Sequence, residues 1–127
     1  MSFNTLKSAA DKLVLEKKFM NAIKNYDTLI SNQEFSNEEK LKNVFFNKGY
    51  CLYSLKKFEK AIEMFFKALE LDPEYVKAYY YKGLSLLELQ MYDDAIEVFK
   101  IGMIKNPKDE KIFNEKIQHA LMKKLEF

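Results

Sequence analysis

The sequence has no arginine. All 21 of its basic residues are lysine, set against 19 acidic ones for a formal net charge of +2. Arginine forks supply the commonest base contacts in nucleic-acid recognition, and no basic block stands out here, so a nucleic-acid partner is not expected. A single cysteine, Cys51, rules out an internal disulfide and suits a reducing, cytoplasmic setting. No apolar run approaches the roughly 18 residues of a membrane span, and no basic start leads into a signal-peptide core, so no membrane association is expected. The three glycines form no phosphate-binding loop. The one histidine, His119, has no histidine or cysteine at metal-ligand spacing. Ser54 and Ser85 have no base near them in sequence. Nothing in this inventory suggests catalysis, a metal site or a cofactor.

Only two prolines interrupt the 127 residues, while Leu, Lys, Glu, Ala and Met are plentiful. That composition points to an all-helical chain. Apolar spacing gives two helices over residues 3 to 31, from the stripes Leu6, Ala9, Ala10, Leu13 and Phe19, Ala22, Ile23, Tyr26, Ile30. Five more follow at about 37–55, 58–71, 75–89, 92–105 and 109–125. Asp72-Pro73 and Asn106-Pro107 punctuate the ends, because proline cannot continue a helix but is tolerated in the first turn of the next. Ser36 and Glu39 have the spacing of a capping box. The connections are short, which makes successive helices antiparallel neighbours. No linker or low-complexity segment appears, so residues 1–127 read as one domain.

The chain also repeats itself. Lys57-Phe58-Glu59-Lys60-Ala61-Ile62-Glu63-Met64-Phe65 aligns with Met91-Tyr92-Asp93-Asp94-Ala95-Ile96-Glu97-Val98-Phe99. Ala61 and Ala95 are 34 positions apart, as are Phe65 and Phe99, Gly49 and Gly83, and Pro73 and Pro107. Phe19-Met20-Asn21-Ala22-Ile23 echoes the same phrase, but Ala22 precedes Ala61 by 39, so five extra residues lie between, most naturally in the polar stretch from Ser31 to Leu41.

A fixed period of 34 resembles the tetratricopeptide repeat, in which helical hairpins stack into a right-handed superhelix, an α-solenoid. In that frame the repeats span about 3–36, 42–75 and 76–109. The small residue at position 8 is Ala10, Gly49 and Gly83; position 20 is Ala22, Ala61 and Ala95; position 24 is Tyr26, Phe65 and Phe99. Small residues at 8 and 20 let the paired helices approach while the bulky ones fill the space around them. Residues 109–125 put Phe113 at position 4 but Ile117 at the small position 8, as a capping helix would, with Lys116, Lys123 and Lys124 turned to water. The frame therefore implies about seven helices.

The resemblance also implies a function. First helices of such hairpins line a concave groove that holds a peptide or protein partner, through positions 2, 5, 6, 9, 12 and 13. Here those positions give Asn4, Lys7, Ser8, Asp11, Val14 and Leu15, then Asn43, Phe46, Asn47, Tyr50, Tyr53 and Ser54, then Lys77, Tyr80, Tyr81, Leu84, Leu87 and Glu88, and the cap helix can add Lys111, Asn114, Glu115 and Gln118. Phe46, Tyr50, Tyr53, Tyr80 and Tyr81 are not required by the packing pattern, and rigid aromatics of this kind are enriched at recognition sites. The alternative is that they fill the superhelix interior. Lys7, Asn47 and Lys77 also match the carboxylate clamp with which co-chaperones of this family hold acidic C-terminal tails. Asp11 and Tyr81 depart from it, and Asp11 sets a negative charge where a ligand carboxylate would sit. A different reading is a self-associating scaffold, joined end to end through Met122, Leu125 and Phe127.

Overall fold

The computed structural model of the chain describes residues 1–36 and 38–126. Among them are seven α-helices and no strand: α1 (Phe3–Leu15), α2 (Phe19–Ser31), α3 (Glu38–Ser54), α4 (Phe58–Leu71), α5 (Val76–Glu88), α6 (Tyr92–Lys105) and α7 (Glu110–Leu125). Each helix packs chiefly on its neighbours in the chain, so three hairpins stack and α7 follows the last. The architecture is an all-α solenoid, with helix bounds within a residue or two of those read from apolar spacing.

One turn closes all three hairpins. Lys17, Lys56 and Gln90 adopt the left-handed region at φ of 60°, 63° and 61°. In the first hairpin Lys17 N–H donates to the Val14 carbonyl at 2.9 Å and Lys18 N–H to the Leu13 carbonyl at 2.8 Å. Lys56 and Lys57 repeat this on Tyr53 and Leu52, and Gln90 and Met91 on Leu87 and Leu86. This double bond is the Schellman arrangement, which satisfies the last carbonyls of a helix and reverses the chain in few residues.

The small positions act as expected. A β-carbon on Gly49 would stand 2.6 Å from the Phe65 ring, and one on Gly83 would meet Phe99 at least as closely. Phe65, Phe99 and Tyr26 are fully buried, as are Ala10, Ala22, Ala61 and Ala95. Gly102 repeats the device toward the cap, where Phe113 lies against it and is 1% exposed.

The insertion contains a three-residue 3-10 turn, Gln33–Phe35, opened by the Asn32 side chain accepting from Glu34 N–H at 2.9 Å. Phe35 packs edge-on against Phe3 at 5.6 Å, and Lys40 Nζ lies over the Phe3 ring at 5.6 Å from its centroid. The insertion thus shields the N-terminal end of the stack. Ser36 closes the 3-10 turn, its N–H donating to the Gln33 carbonyl at 3.3 Å, and the cap expected of it with Glu39 would form across Asn37, which lies outside the described residues.

The cap differs from expectation in its polar face. Phe113, Ile117 and Ala120 turn inward, but Lys116 and Lys123 are half-buried rather than turned to water. Leu121, Met122 and Leu125 are exposed alongside polar residues such as Asn114, Glu115 and Gln118, and Phe127 lies outside the described residues. Only Lys124 of the three lysines is exposed, and it pairs with Asp93 at 2.7 Å. No helix among the described residues is long and apolar enough to cross a membrane.

Candidate binding groove

The first helices of the hairpins border a hollow of about 1000 Å³. It starts at the foot of α1 with Val14 and Leu15 and passes Lys17 and Phe19 in the hairpin turn. It then crosses Phe46, Asn47 and Tyr50 in the middle of α3. Tyr75, Val76, Lys77, Tyr80 and Tyr81 carry it along the start of α5, and Asn106, Asp109, Ile112 and Phe113 close it at α7. The path is oblique, from the C-terminal end of one helix to the N-terminal end of another.

Aromatic rings make its floor. Tyr81 is the hub, in contact with Tyr50 at 5.4 Å, Tyr80 at 5.4 Å, Tyr53 at 5.6 Å, Phe46 at 5.8 Å and Phe65 at 6.2 Å. Phe19 extends the row from Tyr50, and Phe113 extends it from Tyr80. Most of these pairs meet edge to face, the arrangement that the ring quadrupole favours. Tyr50, Tyr80 and Tyr81 are half-buried, so each contributes to the interior and still presents surface to the hollow. Phe46 is different. It is 7% exposed and stacked on Tyr75 at 5.1 Å, so it supports the floor more than it offers contact.

Asn4, Ser8, Ser54, Lys111, Asn114, Glu115 and Gln118 line neither this hollow nor the next, and other residues expected in one groove fall into three places. Tyr53 and Leu84 border a second hollow of about 420 Å³ with Leu87, Glu88, Tyr92, Lys116, His119 and Lys123. Sequence position alone did not separate the two because both chambers lie along the same helices, at opposite ends. Asn43 holds a wall residue in place: its Oδ1 accepts from the Tyr75 hydroxyl at 2.9 Å. Lys7 and Asp11 line neither hollow and pair with each other at 2.7 Å. Asp11 also accepts from the Tyr26 hydroxyl, and from Asn47 Nδ2 at 3.2 Å.

Nine of the lining residues escaped the sequence reading, among them Lys17, Tyr75, Phe19 and Ile112. Tyr75 is the last position of its repeat, Phe19 starts a second helix, and Ile112 is position 3 of the cap, so none belongs to the groove positions the repeat frame supplies. Tyr75 is the most informative, since burial, followed by the nearby Asp72 charge, pushes its phenol up to about 12. Burial raises the Tyr81 and Tyr53 phenols as well.

Charge in the main hollow is uneven. Glu74 pairs with Lys105 at 3.0 Å, and Asp109 accepts from Asn106 Nδ2 at 2.8 Å. Lys17 and Lys77 line the same walls and make no ion pair among the described residues. Elsewhere, Cys51 is fully buried and its thiol is pushed up to about 12 by desolvation, so it is not a poised nucleophile. His119 is exposed, and no cluster of His, Cys, Asp or Glu among the described residues could hold a metal ion.

Stacked hairpins, a repeated Schellman turn and an aromatic hollow along the first helices define a helical-repeat scaffold. The chain carries tetratricopeptide repeats: models of that repeat match residues 43–75 and 64–97. No curated protein sequence matches it significantly. Among solved structures it is similar to the TPR2B domain of yeast Sti1 in complex with pHsp70, at 21% identity and a TM-score of 0.83, over 94% of this chain and 95% of that one. The Sgt2 TPR domain from Aspergillus fumigatus matches at 22% identity and 0.83, over 97% and 79%. The Yersinia enterocolitica type III secretion chaperone SycD, in complex with a peptide of the translocator YopD, matches at 15% and 0.83, over 95% and 93%. At these identities the likeness is one of fold.

Proposed function

We propose that this chain is a non-catalytic interaction module that binds a peptide segment of a protein partner across the Tyr50–Tyr81 floor. The observation that carries the reading is the hollow itself: an open aromatic surface whose acidic residues are already partnered while Lys17 and Lys77 make no ion pair among the described residues. Such a surface suits a ligand with apolar or aromatic side chains and an acidic group at its edge. Exposed Leu15 and Ile112 extend the apolar contact at the two ends.

Magnitudes favour the rings as the source of affinity. An exposed lysine–carboxylate pair contributes about 1 kcal/mol at most, whereas micromolar binding needs about 8. Most must therefore come from apolar contact, after the cost of ordering the peptide. The lysines then orient what the tyrosines hold. The Sti1 and SycD structures, each with a bound partner or peptide, support this use of the fold. An adaptor for acidic chaperone tails is the narrower version of the same reading. It draws support from Sti1 and from Lys77, and is weakened by the pairing of Lys7 with Asp11. A cytoplasmic setting is supported by the unpaired, buried Cys51.

Selection from a display library of random peptides tests the proposal. Wild-type protein should enrich sequences with an aromatic or large aliphatic residue next to Asp or Glu. The Tyr50→Ala/Tyr81→Ala/Lys77→Ala variant should enrich none of them; equal enrichment by both proteins would remove the groove from consideration. Self-association through Met122 and Leu125 is the competing reading, motivated by their exposure at 68% and 85%. It requires a mass that rises with concentration in sedimentation equilibrium.

A further inference from the structure

The three hairpin turns share one edge of the stack, because the first helices lie side by side, α1 against α3 and α3 against α5. Their backbones match, with Lys17, Lys56 and Gln90 in the same left-handed conformation. Their charges do not. Residues 12–20 and 56–60 each carry three lysines and one glutamate, whereas residues 88–94 carry Glu88, Asp93 and Asp94 and no basic residue. The second and third turns are therefore neighbours of opposite sign. Lys56, Lys57 and Lys60 are exposed and make no ion pair among the described residues. The same holds of Glu88 and Asp94, while Asp93 pairs with Lys124 of the cap at 2.7 Å.

The second turn keeps its lysines at a cost. Lys56 has a φ of 63°, which glycine would adopt freely, and Lys57 and Lys60 stand at the N-terminal end of α4, where the helix dipole favours anions. Residues held against local preference point to a use elsewhere. The third turn is shaped to receive them. Met91, Tyr92, Asp93 and Asp94 border a hollow of about 280 Å³, with Met91 exposed to cover a lysine's apolar stem and the aspartates placed for its ammonium. A uniformly acidic partner lying along this edge would suit the second turn and be repelled by the third. A positive patch beside a negative one is instead complementary to itself, because a two-fold axis between them sets each against its opposite in a second copy. We propose that this edge joins two copies of the chain about such an axis, with Lys56 and Lys57 of each copy set into the Asp93–Asp94 hollow of the other. The contact is distinct from stacking through Met122 and Leu125. It leaves the main hollow open, since neither turn lines it, and it does not depend on the groove reading. Two turns a side, held by exposed charges, make a weak and salt-sensitive dimer.

Sedimentation equilibrium of the whole chain tests this. At low salt and millimolar protein the mass of wild type should rise toward that of a dimer, and about 0.5 M sodium chloride should weaken the association about tenfold or more. A wild type that stays monomeric at low salt would overturn the edge, and so would a mass that rises equally at both salts, which is the behaviour of apolar end stacking. Lys56→Glu/Lys57→Glu makes both turns acidic and Asp93→Lys/Asp94→Lys makes both basic, and each variant should be monomeric. All four changes in one chain restore opposite signs at the wild-type net charge and should restore the dimer. Half-changed variants that dimerise like wild type, or a folded four-fold variant that stays monomeric, would contradict the proposal. If the four-fold variant does not fold, an equimolar mixture of the two half-changed chains replaces it: a heterodimer is expected, and its absence counts against the edge.

Discussion

The Phe65 ring lies on Gly49 so closely that a β-carbon there would stand 2.6 Å from one ring carbon and 2.9 Å from the next. Phe65 is fully buried and has nowhere to retreat. Gly49→Ala should therefore destabilise the protein by about 1–3 kcal/mol, as overpacking does. This runs against helix propensity, which favours alanine over glycine by about 1 kcal/mol in a helix interior. Urea unfolding followed by far-ultraviolet circular dichroism decides which effect dominates; a stabilised variant would mean that the hairpin does not pack this way.

Lys56 gives the opposite expectation. Its φ of 63° costs a residue with a β-carbon about 1–2 kcal/mol, part of which glycine forfeits through greater freedom in the unfolded chain. Lys56→Gly should gain about 0.5–1 kcal/mol, and Lys56→Val should lose stability by more, since a β-branched residue is strained there. Paired thermal melts of the two variants report both signs. A destabilised glycine variant would contradict the turn.

Raised phenol and thiol pKa values set an alkaline limit. Tyr75 goes from about 10 to about 12 on folding and Cys51 from 9.0 to about 12, while Tyr26, Tyr53 and Tyr81 move upward as well. Burial is the first cause in each case, so folding favours the protonated forms. The folded chain holds more protons than the unfolded one once pH passes the unfolded values, and stability then falls as pH rises. This contribution is intact below about pH 9 and is lost progressively toward pH 12. Urea midpoints measured from pH 8 to 11 should decline above pH 9, and the native Cys51 thiol should react with a disulfide reagent at pH 8 only at the rate of opening. Fast labelling of the native protein would contradict its burial.

Tyr81 separates ring from hydroxyl. Tyr81→Phe keeps the five ring contacts and should leave folding within about 0.5 kcal/mol of wild type, whereas Tyr81→Ala empties the hub of the floor and should cost about 3 kcal/mol, the low end for an aromatic truncation because the ring is only half-buried. Calorimetry of the pair checks the claim. Equal losses would move the burden from the rings to the hydroxyl.

The fold was readable because the repeat states its packing rules in single letters. Gly49 and Gly83 mark where Phe65 and Phe99 lie, and a 34-residue step fixes the hairpin length. The left-handed turns were not readable, since Lys17, Lys56 and Gln90 stand where glycine would have signalled the conformation. The groove was legible only in part. Tyr50, Tyr80, Tyr81 and Lys77 were placed by helical phase, which says which face a side chain takes. Phase does not say which end of a helix row a side chain opens toward, so it did not separate Tyr53 and Leu84, which line the second hollow, from the residues of the first. Nor does it show what a polar residue has already bound: the bonds from Lys7, Tyr26 and Asn47 to Asp11 join residues up to 36 positions apart.

The central claim is that ligands cross the aromatic floor from Lys17 to Ile112. Its most direct measurement is an NMR titration of a library-selected peptide, following the ring resonances of Tyr50 and Tyr81 and the methyl resonances of Leu15 and Ile112. All four should shift together with one dissociation constant, while Met20 and Ile104 stay still. Shifts confined to Met20, Phe66 and Ile104, with the tyrosine rings unmoved, would contradict it.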